Sequence, residues 1–166
     1  GMDVVKIQLE IAIEPRELAS AAAWTRLPTL GRDVFEPHLR IVEGLVKAIK
    51  RESLVILTLY SAFMLACKTA GSETVARHAA EDPAALARGI GILADGLAGF
   101  VKDCAGLGLD GFYTSTQGGE DGRFKSRAPF DECIRPYDLA LMEEINRACP
   151  FNILHVCDYH LPYRDL

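Results

Sequence analysis

The run Ser53-Leu-Val-Ile-Leu-Thr-Leu-Tyr60 constrains this chain more than any other segment. Its apolar side chains stand at consecutive positions instead of alternating ones. Neighbouring side chains of a strand point to opposite faces, so both faces here must be covered. Parallel sheets layered with helices meet that demand, whereas antiparallel sheets commonly keep one wet face.

The remainder of the chain fits such a sheet. Lys6–Glu14 alternates, with Ile7, Leu9, Ile11 and Ile13 on one face and Lys6, Gln8, Glu10 and Glu14 opposite, which predicts a half-buried edge strand. A short Ala-rich helix is expected from Pro15. Asp33 is the expected N-cap of an amphipathic helix running to about Arg51 on Phe35, Leu39, Val42, Val46 and Ile49. Ser61 is placed to cap a helix ending at Gly71, and a second helix spans Ser72 to about Glu81. Asp82-Pro83 pairs an N-cap with Pro at the first helical position. The helix it opens carries Leu86, Ile90, Leu93, Leu97, Phe100 and Cys104 inward, and its glycines permit close backbone packing. Gly111–Thr116 is a predicted third strand, followed by a polar loop over Gln117–Arg127. A helix through Pro136, Tyr137, Leu141 and Ile145 leads to a final buried strand, Phe151–Val156.

Strands alternating with helices imply right-handed parallel crossovers. An open dinucleotide-binding sheet has the same alternation, but no GxGxxG follows any strand. The expected class is therefore α/β with parallel strands and outer helices, barrel segments being favoured over an open sheet, in a single domain over 1–166, with Gly1-Met2 read as a tag scar and start. Net charge is −5 and no Lys/Arg block occurs, which argues against a nucleic-acid or anionic-membrane surface. The longest apolar run, Leu54–Leu59, is too short to span a bilayer. Five scattered cysteines without a CxxC point to free thiols in a reduced, cytoplasmic protein.

The candidate site lies at the C-terminal ends of the strands, where parallel α/β folds bind ligands. His155 and Cys157 are two apart and share a face, as a metal-binding pair would; the plainer reading is a strand end. Tyr113, Ser115 and Gln117 alternate with Thr114 and Thr116, and whichever set points inward offers neutral hydrogen-bonding groups to a polar ligand. Tyr60 and Lys68 flank the end of the second strand. Arg123, Lys125 and Arg127 could meet carboxylates from a lid, although such loops are more often solvated. His38 and His78 stand beside charged neighbours and are expected to face solvent, and His160 could assist His155.

Several of these stretches resemble the uroporphyrinogen decarboxylase superfamily, which includes the decarboxylase of haem synthesis and zinc-dependent methyltransferases acting on corrinoid proteins. They are Leu57-Thr-Leu-Tyr-Ser-Ala-Phe-Met-Leu-Ala-Cys-Lys-Thr-Ala-Gly71, Asp82-Pro83, Gly108-Leu-Asp-Gly-Phe-Tyr113, Phe130 through Pro136-Tyr137, and Ile153-Leu-His-Val-Cys157. The resemblance covers about 25–160 in the right order, and implies a partial (β/α)8 TIM barrel, the middle portion of a barrel of roughly 250 residues or more. Ala62 stands where most members have Pro, Lys68 falls near a substrate-contacting Tyr of true decarboxylases, and Asp158 replaces a common Gly. The His-x-Cys pair points to the methyltransferase branch, whose zinc ligands continue with a Cys further downstream. Zinc, a corrinoid protein or methyl donor, and a tetrapyrrole ligand are what the resemblance implies for a full-length parent, with lyase or methyltransferase chemistry. The alternative is a catalytically inert barrel fragment. A slice of barrel exposes two strand edges, so a homodimer is also expected.

Overall fold

A computed structural model of the protein describes residues 3–8, 10–11, 16–120 and 122–157. Four strands, β1 (Asp3–Ile7), β2 (Ser53–Tyr60), β3 (Gly111–Thr116) and β4 (Ile153–Val156), form one sheet in the order β1-β2-β3-β4. Every neighbouring pair is parallel. Space order follows chain order without the reversal that creates the crevice of a doubly wound sheet. The architecture is that of a partial (β/α)8 barrel.

Among the described residues six helices cover the outer face: α1 (Arg32–Ile49), α2 (Ala62–Ala70), α3 (Ser72–Glu81), α4 (Pro83–Gly106), α5 (Ala128–Cys133) and α6 (Arg135–Ala148). A 3-10 segment, Ala21–Arg26, precedes them where a helix from Pro15 was expected. Val55, Leu57 and Leu59 of β2 join Ile7 and Phe112 in the core shared with the helices. Ile56 and Thr58 are buried on the opposite, inner face. The double coverage that the β2 sequence demands is thus met on both sides.

The helix signals are realised at specific atoms. Ser61 Oγ accepts from the Met64 N–H at 3.4 Å, and Asp82 Oδ1 accepts from the Ala85 N–H at 2.9 Å. The α1 cap position falls on Gly31, with Asp33 already in the first turn, where its charge suits the helix dipole. α4 is long and apolar enough to cross a membrane by length and composition, a property its interrupting glycines conceal in the sequence. It instead runs through the middle of the helical layer, against the 3-10 segment, α1, α2, α5 and α6. A Cβ on Gly89 would lie 2.7 Å from the Trp24 ring, and one on Gly96 would lie 2.5 Å from Leu30. Those glycines let the chain preceding α1 lie directly on the helix.

Several sequence expectations are corrected. β1 begins at Asp3 and ends at Ile7, so Gln8, Glu10 and Ile11 fall beyond it, while Leu9, Ile13 and Glu14 lie outside the described residues. β4 is shorter than expected, and Ile153, Leu154 and His155 are exposed instead of buried, because no further strand or helix covers them among the described residues. His38 and His78 are buried, not solvent-facing. Trp24 Nε1 donates to His78 Nδ1 at 3.0 Å, and His78 is fully enclosed. His38 Nε2 meets the Glu10 carbonyl at 3.0 Å, and its ring stands edge-on to Phe100. Polar partners within reach make burial of both imidazoles affordable. His160 lies outside the described residues.

Candidate functional site at the strand ends

The strand registers decide which side chains share the inner face. Lys6 pairs with Ile56, Thr58 with Tyr113, Tyr60 with Ser115, and Ser115 with His155. Alternation then sets Tyr113 and Ser115 inward and Thr114 and Thr116 toward the helices. Thr116 donates to Asp138 of α6 in a short buried hydrogen bond, which fixes the outward set independently.

A connected polar surface results. Ser115 Oγ and Cys157 Sγ lie 3.1 Å apart, and the Cys157 N–H donates to the Thr116 carbonyl at 3.1 Å, so the pairing of the fourth strand continues one residue past β4. The Tyr113 and His155 rings stack, with centroids 5.5 Å apart and 24° between planes. Lys6 reaches across β2, its Nζ 4.4 Å from the Tyr113 ring centre. Gln8 amide N donates to Tyr60 Oη at 2.9 Å, while its carbonyl oxygen accepts from Thr58 at 3.0 Å. Lys68 sits 4.6 Å from the Tyr60 ring centre and 3.2 Å from a Glu10 carboxylate oxygen. Exposed cation–π contacts of this kind are worth about 0.5–1 kcal/mol, enough to orient a side chain without locking it.

Tyr60, Tyr113, Ser115, His155 and Cys157 are therefore brought to one face. Gln117, half-buried, follows β3 by one residue and continues the inward alternation. The surface also recruits Lys6, Gln8 and Thr58, which sequence reading left out as site residues. The signal was present: Lys6 and Gln8, read as part of the solvent face of an edge strand, turn to the barrel interior.

Two arginines of the loop after β3 turn on their own chain. Arg123 pairs with Glu120 at 2.8 Å and Arg127 with Asp131 at 3.0 Å. Phe124 stands edge-on to Phe63 at the start of α2. A cavity of about 730 Å³ opens between this loop, α3 and α5, lined by Ala76, Ala80, Phe124 and Pro129 among others, and shares no lining residue with the strand-end surface.

All five cysteines are free thiols. Burial pushes the Cys104 thiol well up and that of Cys133 to about 11, so both stay protonated. Cys157 is half-exposed and lies on the inner surface. Beneath that surface, burial raises the Asp138 carboxyl to about 7, against the opposing hydrogen bond from Thr116. Its Oδ1 has no hydrogen-bond partner, in keeping with a carboxyl that gains little from ionising.

No protein-family model and no curated protein matches the chain. Among solved structures, a methyltransferase from Methanosarcina mazei superposes with a TM-score of 0.69 at 10% sequence identity, over 89% of this chain and 42% of that one. The shared property is the fold, and this chain spans less than half the length of that methyltransferase.

Proposed function

We propose that the chain carries the His-x-Cys side of a barrel enzyme of the uroporphyrinogen decarboxylase superfamily, in its zinc-dependent methyl-transfer branch. The observation that supports this most is the common inner-face position of His155 and Cys157, with Ser115 on the Cys157 sulfur. The methyltransferase likeness supports it at the level of the fold.

Imidazole nitrogen and thiolate sulfur are donors that zinc takes. Catalytic zinc sites use three protein ligands, however, and among the described residues no group of three or more His, Cys, Asp or Glu converges. The pair fits zinc in kind and falls short of it in number. The roles of the chain's own residues are local. Tyr113 holds the His155 ring by stacking, Ser115 orients the Cys157 thiol, and Lys6 brings positive charge to the same surface. A corrinoid methyl donor belongs to this reading through the sequence resemblance. A tetrapyrrole decarboxylase is less favoured, since Lys68, beside this surface, is engaged by Glu10.

Cobalt(II) titration of the isolated chain is the test. We expect weak, chelator-reversible binding with a thiolate charge-transfer band, abolished by Cys157→Ser and weakened by His155→Ala. No band in the wild type at millimolar cobalt, or a band that survives Cys157→Ser, would overturn the metal reading and leave the inert-fragment alternative.

A further inference from the structure

The exposed large hydrophobic residues are not scattered over the described surface. Apart from Ile41, they are Val4 and Val5 on β1 and Phe151, Ile153 and Leu154 in or just before β4. β1 and β4 are the two edges of the sheet. Isolated exposed apolar residues need no explanation, but apolar side chains gathered on both unpaired edges do. Among the described residues neither edge pairs with a further strand, which leaves backbone N–H and C=O groups there for one.

The two edges match each other. Val4 is exposed by 44% and Val5 by 36%, one on the inner and one on the outer face. Ile153 at 38% and Leu154 at 46% repeat that arrangement in the same order. Setting β4 parallel to β1 of another copy places Ile153 beside the partner's Val4 on the inner face. It places Leu154 beside the partner's Val5 on the outer face. Continuing that register sets His155 beside the partner's Lys6 and Cys157 beside the partner's Gln8. The four parallel strands among the described residues, in chain order, are half of the eight that close a barrel of this class.

We infer that two copies of this chain close an eight-stranded parallel barrel about a two-fold axis, through two identical seams of β4 against the partner's β1. The seam runs through the strand-end surface, so each His155 and Cys157 gains its second wall from the partner's Lys6 and Gln8. Closure removes both edges at once, and a two-fold generates both seams from one contact. The inference needs neither metal nor methyl transfer, and the mass of the particle can fail it without touching the cobalt experiment.

Light scattering coupled to size exclusion on the 166-residue chain at about 10 µM, with far-ultraviolet circular dichroism to verify folding, tests it. The wild type is expected at twice its 18.1 kDa. Val5→Asp alone and Leu154→Lys alone should each give folded monomer, and the double variant should return to the dimer, because the two new charges face each other across the seam. A monomeric wild type, a dimer indifferent to both single changes, or a double variant no more dimeric than the singles each overturns the inference. If the single variants lose their circular dichroism, the wild-type mass and hydrogen-exchange protection of the β1 and β4 amides decide: a monomer, or unprotected edges, overturns it.

Discussion

Ser115 Oγ and Cys157 Sγ stand 3.1 Å apart on adjacent parallel strands, with 41 residues of chain between them. The contact exists because Ser115 pairs with His155, so that the strand path carries Cys157 just past β4 onto the same face. A hydroxyl at that distance can donate to the sulfur or accept from the thiol.

Cys157 is expected to be the fastest-alkylated thiol of the folded chain, since Cys104, Cys133 and Cys149 are buried and Cys67 has its thiol disfavoured from ionising by burial. If Ser115 donates, Ser115→Ala slows iodoacetamide modification of Cys157 by about two- to tenfold, the equivalent of a hydrogen bond of about 0.5–1.5 kcal/mol. Peptide mass spectrometry over a time course reads it. Unchanged or faster modification would show that the hydroxyl does not assist attack by this sulfur.

Asp138 binds its proton more tightly folded, at about 7, than the 3.8 of a free carboxyl. Its contribution to stability is full below about pH 4 and is lost as the pH rises toward 7. Asp138→Asn, which keeps a partner for Thr116, should flatten that decline and be more stable than wild type at pH 8 by about 1–3 kcal/mol. Urea midpoints at pH 4.5 and pH 8 test this; equal pH slopes for the two proteins would contradict it.

His78 works in the opposite direction. Burial lowers its proton affinity, and its Nδ1 accepts from Trp24, so it is held neutral when folded. Stability from this contact is present above about pH 6.5 and falls as the pH drops below it, because only the unfolded imidazole protonates readily. His78→Gln, with an amide oxygen as acceptor, should remove that acid-side loss. Persistence of the loss in the variant would assign it to another group.

Gly89→Ala is predicted to destabilise by about 1–3 kcal/mol although alanine favours helices, since its methyl would enter the Trp24 ring. Gly99→Ala on the same helix meets no atom within 4 Å and should be neutral to stabilising by up to about 1 kcal/mol. Denaturation of the pair separates packing from propensity. Equal effects would mean that the 3-10 segment yields.

Much was legible in order along the chain. The doubly apolar Ser53–Tyr60 run, the Ser61 and Asp82 caps and the strand–helix alternation determined the elements and the parallel α/β class, because capping and periodicity act over a few neighbouring residues. The shared face of His155 and Cys157 was likewise set by a two-residue spacing. Register, burial and partnership were not legible, since they depend on residues far apart in sequence. Only the folded chain determined that Tyr113 and Ser115, rather than Thr114 and Thr116, face the barrel interior, because the choice rests on the offset between β3 and its neighbours. The same holds for His78, which looked solvated among Arg77 and Glu81 but is enclosed by Trp24 from 54 residues away. It holds again for Lys6, whose place on the polar side of the alternation suggested solvent until the sheet turned that face inward toward Tyr113.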